Sequence, residues 1–125
     1  MNKKRPVNLD LTTIKFPIPA IISILHRVSG VYLFIGIGFV VWMLSSSLDS
    51  RQGFQAVADV LSGGIAKLVV WITVSAVLYH FVAGIKHLLM DLGIGETKED
   101  GPKMAIGAAA IAAILILLAG VWIWA

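Results

Sequence analysis

The chain has 125 residues, of which 58% are hydrophobic and only 14% are charged, and its mean hydropathy is +0.92. Soluble domains are usually about half apolar and a quarter charged, so the composition excludes an ordinary soluble domain and a disordered chain. The net charge is only +3 and the basic residues are scattered, which argues against a nucleic-acid partner. Without cysteine, the chain carries no disulfide, thiolate zinc site or iron–sulfur ligand of its own.

Residues 1–20 mix polar and apolar types and contain three prolines. We predict that they form an interfacial segment along the membrane surface, with Pro19 introducing the first helix. Further along, residues 53–62 place apolar side chains at helical spacing, which predicts a short interfacial helix between two spans.

Three long stretches carry no charged residue: 21 positions at 28–48, 18 at 68–85 and 22 at 104–125. About 20 apolar residues cross the hydrocarbon core as a helix, and a helix satisfies its own backbone hydrogen bonds. The predicted fold class is therefore an all-α membrane protein forming one membrane-anchor domain over residues 1–125, with three transmembrane helices at about 22–48, 66–90 and 103–125. Gly107 and Gly120 in the third span predict close helix packing.

Lysine and arginine are distributed unequally between the two sides of the predicted membrane. Eight lie in the N-terminal segment, at the start of the first span or in and beside the second loop, and two lie in the first loop. Basic residues accumulate on the cytoplasmic side, so we predict a cytoplasmic N-terminus. The eight are Lys3, Lys4, Arg5, Lys15, Arg27, Lys86, Lys98 and Lys103, and the two are Arg51 and Lys67.

Ser23 and Arg27 are four residues apart near the start of the first span, so they share one helix face. A charged side chain inside a span costs at least about 2.5–3.5 kcal/mol, and an arginine near a helix end relieves that cost by snorkelling to the surface. The functional alternative starts from the neighbouring His26. A hydroxyl, a guanidinium and an imidazole together form a donor-rich patch that suits a carbonyl or carboxylate ligand.

The second span carries His80 and His87, which project on nearly the same face about 10 Å apart along the axis. A histidine inside a span is often only a helix–helix hydrogen bond. The alternative is that His80 is an axial haem ligand, while Arg27, Lys86 and His87 supply positive charge for the haem propionates. Gly84 would then leave room for a flat macrocycle. Since the chain offers one axial histidine, a six-coordinate haem needs a second ligand from another membrane subunit.

Two stretches of the chain carry a resemblance to a known family. The run RPVNLDLTTIKFPIPAIISILHRVSG and the run YHFVAGIKHLLMDLG resemble the cytochrome b subunit of bacterial succinate dehydrogenase, the haem-bearing membrane anchor of respiratory complex II. The resemblance covers essentially the whole chain. The Ser-x3-Arg pattern in SILHR and the His-x6-His-x3-Asp pattern of the second span are specific in combination.

The resemblance implies a role for each polar residue in the two spans. It implies that His80 is the axial iron ligand of a b-type haem shared with a second membrane anchor subunit. Ser23 and Arg27 match the residues beside bound ubiquinone. The haem propionate region would comprise His26, Arg27, Lys86 and His87, with Lys86 standing where the family pattern suggests arginine.

The resemblance also implies partners. An iron–sulfur subunit and a flavoprotein subunit would carry the iron–sulfur clusters and FAD at the cytoplasmic face of the bacterial inner membrane, and would pass electrons from succinate to ubiquinone. We expect no catalytic residue in this chain, because it has no flavin or iron–sulfur motif.

Two alternatives stay open: a small transporter using Arg27 and His80, and a purely structural anchor without haem. A reduced-minus-oxidised haem spectrum of the purified complex separates all three.

The distribution of basic residues makes a prediction about topology. Single cysteines at Arg51 and Lys98, in this cysteine-free chain, should react differently with a membrane-impermeant thiol reagent in intact cells. Position 51 should be labelled and position 98 should be protected, because the second loop is predicted to be cytoplasmic. Labelling at 98 and protection at 51 would invert the topology.

Overall fold

The computed structural model describes residues 5–125, so Lys3 and Lys4 of the predicted interfacial segment lie outside the described residues. The chain forms four helices: α1 (Ile18–Asp49), α2 (Arg51–Leu61), α3 (Gly64–Asp91) and α4 (Asp100–Trp124). No strand occurs between residues 5 and 125. Helices α1, α3 and α4 are long and apolar enough to cross a membrane. The predicted all-α fold with three transmembrane helices is therefore confirmed, and its orientation stays a prediction.

Helix α1 begins four residues earlier than the predicted first span. Pro17 is its extended N-cap, with φ −66° and ψ 156°, and Pro19 lies in the first turn, where a missing backbone N–H costs nothing. The irregular N-terminal segment therefore ends at residue 17. Within it, the hydroxyl and the amide of Thr12 donate to the Asp10 carboxylate at 2.7 and 3.0 Å, and these hydrogen bonds hold the pKa of Asp10 below its usual value.

The helical backbone is interrupted at two places by residues with non-helical dihedral angles. Ser50 is extended, with φ −159°, so it ends α1, and its hydroxyl accepts a hydrogen bond from the Gly53 amide at 2.9 Å, which caps α2. The short helix predicted over 53–62 is thus observed as α2. After α3, Gly93 and Gly95 take positive φ values of 82° and 71°, which the turn into α4 requires and which only glycine adopts freely.

Small residues let α3 and α4 pack closely. The buried alanines of α4 are Ala105, Ala108 and Ala112. Near the other end, a Cβ on Gly120 would lie 2.9 Å from the Trp71 ring, which is anchored by its Nε1–H donating to the Ile116 carbonyl at 2.9 Å. The prediction of close packing is confirmed at Gly120. It is wrong at Gly107, which is exposed and has no atom within 4 Å of a Cβ position, because that face of α4 borders a groove.

Helices α1 and α3 pack against each other beside the start of α4. Ile22, Ala83 and Ala105 form a buried cluster with Tyr79 packed against it, and the Tyr79 hydroxyl donates to the Ile22 carbonyl at 2.6 Å. The start of α1, the end of α3 and the start of α4 therefore lie together, at what we call the N-terminal end of the bundle. Most large apolar side chains stay exposed on the outer faces, as expected for helices that contact lipid or other subunits.

The two glycines of α4 provide a matched test of this packing. We expect Gly120→Ala to destabilise the folded state by about 1–3 kcal/mol, because the added methyl group overpacks against the anchored Trp71 ring. The same change at Gly107 meets open space, so it should be neutral or stabilise by up to about 1 kcal/mol through better helix propensity. Thermal unfolding of the purified complex measures both. Equal midpoints for the two variants would contradict the packing described.

Candidate functional site

Three imidazoles converge between α1 and α3. The His26 ring stacks on the His80 ring with centroids 4.1 Å apart and an interplanar angle of 12°, and it lies 5.0 Å from the His87 ring, tilted by 54°. Antiparallel packing of α1 and α3 thus brings His26 to the two histidines of α3, as the sequence predicts. A Cβ on Gly84 would lie 3.4 Å from His26 Nε2. Gly84 thus lies against the His26 ring, and the expectation that it leaves room for a macrocycle stays a prediction.

The hydrogen bonds of His80 determine which ring nitrogen carries the proton. Its Nδ1 lies 3.1 Å from the His26 carbonyl oxygen and 3.0 Å from Ser29 Oγ. A carbonyl only accepts, so Nδ1 is the donor in this pair. The Ser29 hydroxyl donates to the same carbonyl at 2.7 Å, which leaves its oxygen lone pairs free to accept from Nδ1. In the neutral imidazole the proton is therefore on Nδ1, and Nε2 carries the lone pair.

The His80 Nε2 atom is open. It makes no hydrogen bond within residues 5–125, and no side-chain nitrogen or oxygen in that range is both buried and unpartnered, so Nε2 is accessible. An imidazole with its Nδ1–H on a backbone carbonyl and a free Nε2 is the usual form of a metal-ligating histidine. In the same range no group of three His, Asp or Glu side chains is arranged to hold a metal ion by itself. A single imidazole nitrogen of this kind is compatible with a haem iron, which would take its remaining ligands from elsewhere.

Ser29 and Gly30 lie against the His80 ring, although no sequence pattern assigned either residue a specific role. Ser29 is buried, and a Cβ on Gly30 would lie 3.0 Å from His80 Cε1, so a larger residue would displace the ring. Both lie one turn beyond His26 on α1, and this spacing is the only local sequence signal for their position beside the histidines. The residue that they contact, His80, is 51 residues away from Ser29 along the chain.

Ser23 and Arg27 lie on α1 at the N-terminal end of the bundle. Ser23 is half-buried and Arg27 is exposed, and Arg27 borders a shallow groove of about 400 Å³ with Val28, Val31 and Tyr32. The other helical serines with assigned bonds donate to a carbonyl of their own helix, as in Ser29, Ser47 and Ser75.

Ser23 differs from those serines. Within residues 5–125 neither its hydroxyl nor the Arg27 guanidinium has a hydrogen-bond partner. Two donors are therefore left unused beside an apolar groove.

Lys86 is buried, with 4% of its surface exposed, and it borders a groove between α3 and α4. His80 and His87 do not line that groove. Lys86 directly precedes His87 on α3, so the groove and the histidines lie on neighbouring faces of this helix.

Comparison with known proteins identifies the family. The model of the succinate dehydrogenase/fumarate reductase transmembrane subunit matches residues 1–120. The chain belongs to this family. It is a membrane anchor subunit of an oxidoreductase complex, and the resemblance stated from the sequence is confirmed.

Three curated relatives illustrate the match. The succinate dehydrogenase cytochrome b556 subunit of Coxiella burnetii is 46% identical over 125 residues, covering 99% of this chain and all of the relative. The subunit of the same name from Paracoccus denitrificans is 29% identical over 117 residues, covering 91% of this chain and 90% of the relative. That of Rickettsia bellii is 37% identical over 93 residues, covering 74% and 71%.

Proposed function

We propose that this chain holds a b-type haem jointly with a second membrane anchor subunit and forms part of the ubiquinone-reduction site of a succinate dehydrogenase. The observation that carries the proposal is the His80 ring, whose Nδ1 donates to the His26 carbonyl while its Nε2 is free. The relatives named cytochrome b556 subunits support a haem in this family. In a purely structural anchor the same bond would serve only to join α1 to α3.

In this proposal His80 Nε2 would hold the haem iron together with a ligand from the partner anchor subunit. The haem supplies reversible one-electron transfer at its iron. The His26 carbonyl and Ser29 keep the His80 ring oriented, and hydrogen bonding at Nδ1 raises the basicity of the ligating nitrogen. The propionate region comprises His26, Arg27, Lys86 and His87, whose positive or donor groups cluster toward the N-terminal end of the bundle.

Ser23 and Arg27 are proposed to bind the quinone head group. A ubiquinone carbonyl accepts hydrogen bonds and gains negative charge on reduction. The unused Ser23 hydroxyl can donate to it, and the Arg27 guanidinium stabilises the developing charge while keeping its own proton. The apolar groove beside Arg27 offers a lipid-accessible path for the quinone tail.

The remaining parts of the reaction belong to partner subunits. A flavoprotein subunit with FAD and an iron–sulfur subunit with its clusters would dock at the N-terminal end of the bundle. That end carries Arg5, Lys15, Lys98 and Lys103. The basic bias supports a cytoplasmic location for it and a multi-pass position in the bacterial inner membrane. This chain then contributes no catalytic group to succinate oxidation.

The haem assignment is tested by changing each histidine of α3 in the assembled complex. His80→Ala removes the proposed iron ligand and should abolish or alter the low-spin b-type absorption spectrum. His87→Ala is the matched control, because it should keep the ligation and mainly shift reduction potential or haem occupancy. Ser29→Ala should keep the haem but shift its potential, since the ligand loses one hydrogen-bond partner. An unchanged spectrum in His80→Ala with a lost spectrum in His87→Ala would refute the assignment.

The quinone assignment is tested by two assays on one preparation. Ser23→Ala and Arg27→Leu should each lower quinone reduction, by up to about a hundredfold if the donor acts on the charged state. Succinate oxidation by a soluble artificial acceptor should survive, because electrons leave before the membrane site. Arg27→Lys should be intermediate, since lysine keeps the charge and loses the planar fork.

Ser75→Ala serves as the control for Ser23→Ala, because Ser75 donates to the Trp71 carbonyl of its own helix at 2.6 Å. It should reduce quinone at the normal rate. Loss of both activities in Ser23→Ala or Arg27→Leu would indicate failed assembly, and normal quinone kinetics in both would remove these residues from the site.

A further inference from the structure

A long groove of about 750 Å³ runs between α3 and α4 on the side of α3 that faces away from the three imidazoles. Its volume lies within the range of about 300–1,000 Å³ that small-molecule sites occupy. Ser23, Arg27 and the histidines do not line it, but it shares Lys86 with the proposed haem propionate region. Its walls are mainly apolar and include Phe81, Ile85, Leu89, Met104, Ile111 and Leu115.

The length of the groove matches one leaflet of a bilayer. Lys103 and Leu115 border opposite ends of it and are twelve residues apart on α4. At about 1.5 Å per residue this is ~18 Å. Half of the ~30 Å hydrocarbon core is of similar length. An extended acyl chain would therefore fit along the groove from the N-terminal end of the bundle toward the membrane centre.

Charged side chains border the groove only at its N-terminal end. They are Lys86, Lys103 and Asp100, with a net charge of +1. Lys86 is 4% exposed and has neither a hydrogen bond nor an ion pair within residues 5–125. No side-chain nitrogen in that range is both buried and unpartnered, so the accessible part of Lys86 is its ammonium group. A cation held in this way requires an anion or water from outside the chain.

We infer that the groove binds an anionic glycerophospholipid, with an acyl chain along the apolar walls and the phosphate between Lys86 and Lys103. Basic pockets between transmembrane helices at the cytoplasmic side are known to bind anionic head groups. The negative charge of Asp100 selects a lipid of modest charge over a multiply charged one. The proposal does not rest on the proposed function, because Lys103, Gly107 and the apolar walls test it apart from the shared Lys86.

The site is tested on the whole complex, purified in mild detergent and depleted of lipid. Dioleoylphosphatidylglycerol or dioleoylphosphatidylcholine is added back, and bound lipid is counted by native mass spectrometry. Wild-type complex should retain phosphatidylglycerol in preference to phosphatidylcholine. Lys86→Met and Lys103→Met should each weaken phosphatidylglycerol binding about fivefold. Lys98→Met is the matched control, because Lys98 is exposed at the same end and does not line the groove.

A second pair of variants tests the apolar part of the site. Gly107→Leu places a side chain in the groove without a clash, since no atom lies within 4 Å of a Cβ there. It should block phosphatidylglycerol binding. Ala110→Leu, on an exposed face of the same helix outside the groove, should have no effect. This pair keeps the test decisive if Lys86→Met fails to assemble.

Three results would overturn the inference. Equal retention of the two lipids by wild-type complex, or retention of neither, would mean that the groove lacks a head-group site or is covered by another subunit. Lipid binding unchanged in Lys86→Met and Gly107→Leu would place the lipid elsewhere. Haem loss in Lys86→Met with unchanged lipid binding would assign this lysine to the propionates alone.

Discussion

The arrangement of the bundle depends on the hydrogen bond from His80 Nδ1 to the His26 carbonyl. Inside a membrane, an imidazole without a partner is costly, because lipid offers it no hydrogen bond. The bond satisfies His80 and connects α1 to α3 in the apolar part of the bundle. Such interhelical hydrogen bonds are worth about 0.6–2 kcal/mol each. Ser29 strengthens the connection, since its hydroxyl bonds both groups.

The same bond has a chemical consequence that packing alone would not have. Because a carbonyl cannot donate, the contact assigns the proton to Nδ1 and leaves the lone pair on Nε2. The proposed haem ligation by His80 would use this lone pair. Glycine and serine on α1 make this possible, since Gly30 lets the ring approach the helix and Ser29 supplies a small polar contact.

Two faces of helix α3 contact different parts of the molecule. One face carries the histidines and packs on α1, while Phe81, Ile85 and Leu89 on the other face border the groove with α4. Small residues on α4 allow close contact beside this groove without filling it. Lys86, which directly precedes His87 in the chain, borders the groove.

The sequence by itself determined the three spans, because uncharged runs of about 20 residues have no other stable form, and it indicated the short helix α2. Helical spacing also identified Ser23 with Arg27 and His80 with His87 as pairs on one face. Only the tertiary structure decided what those faces meet. The stacking of His26 on His80, the role of Ser29 and the groove beside Gly107 join residues that are far apart in the chain. Helix periodicity specifies the face of a residue, while the partner of that face depends on how whole helices pack.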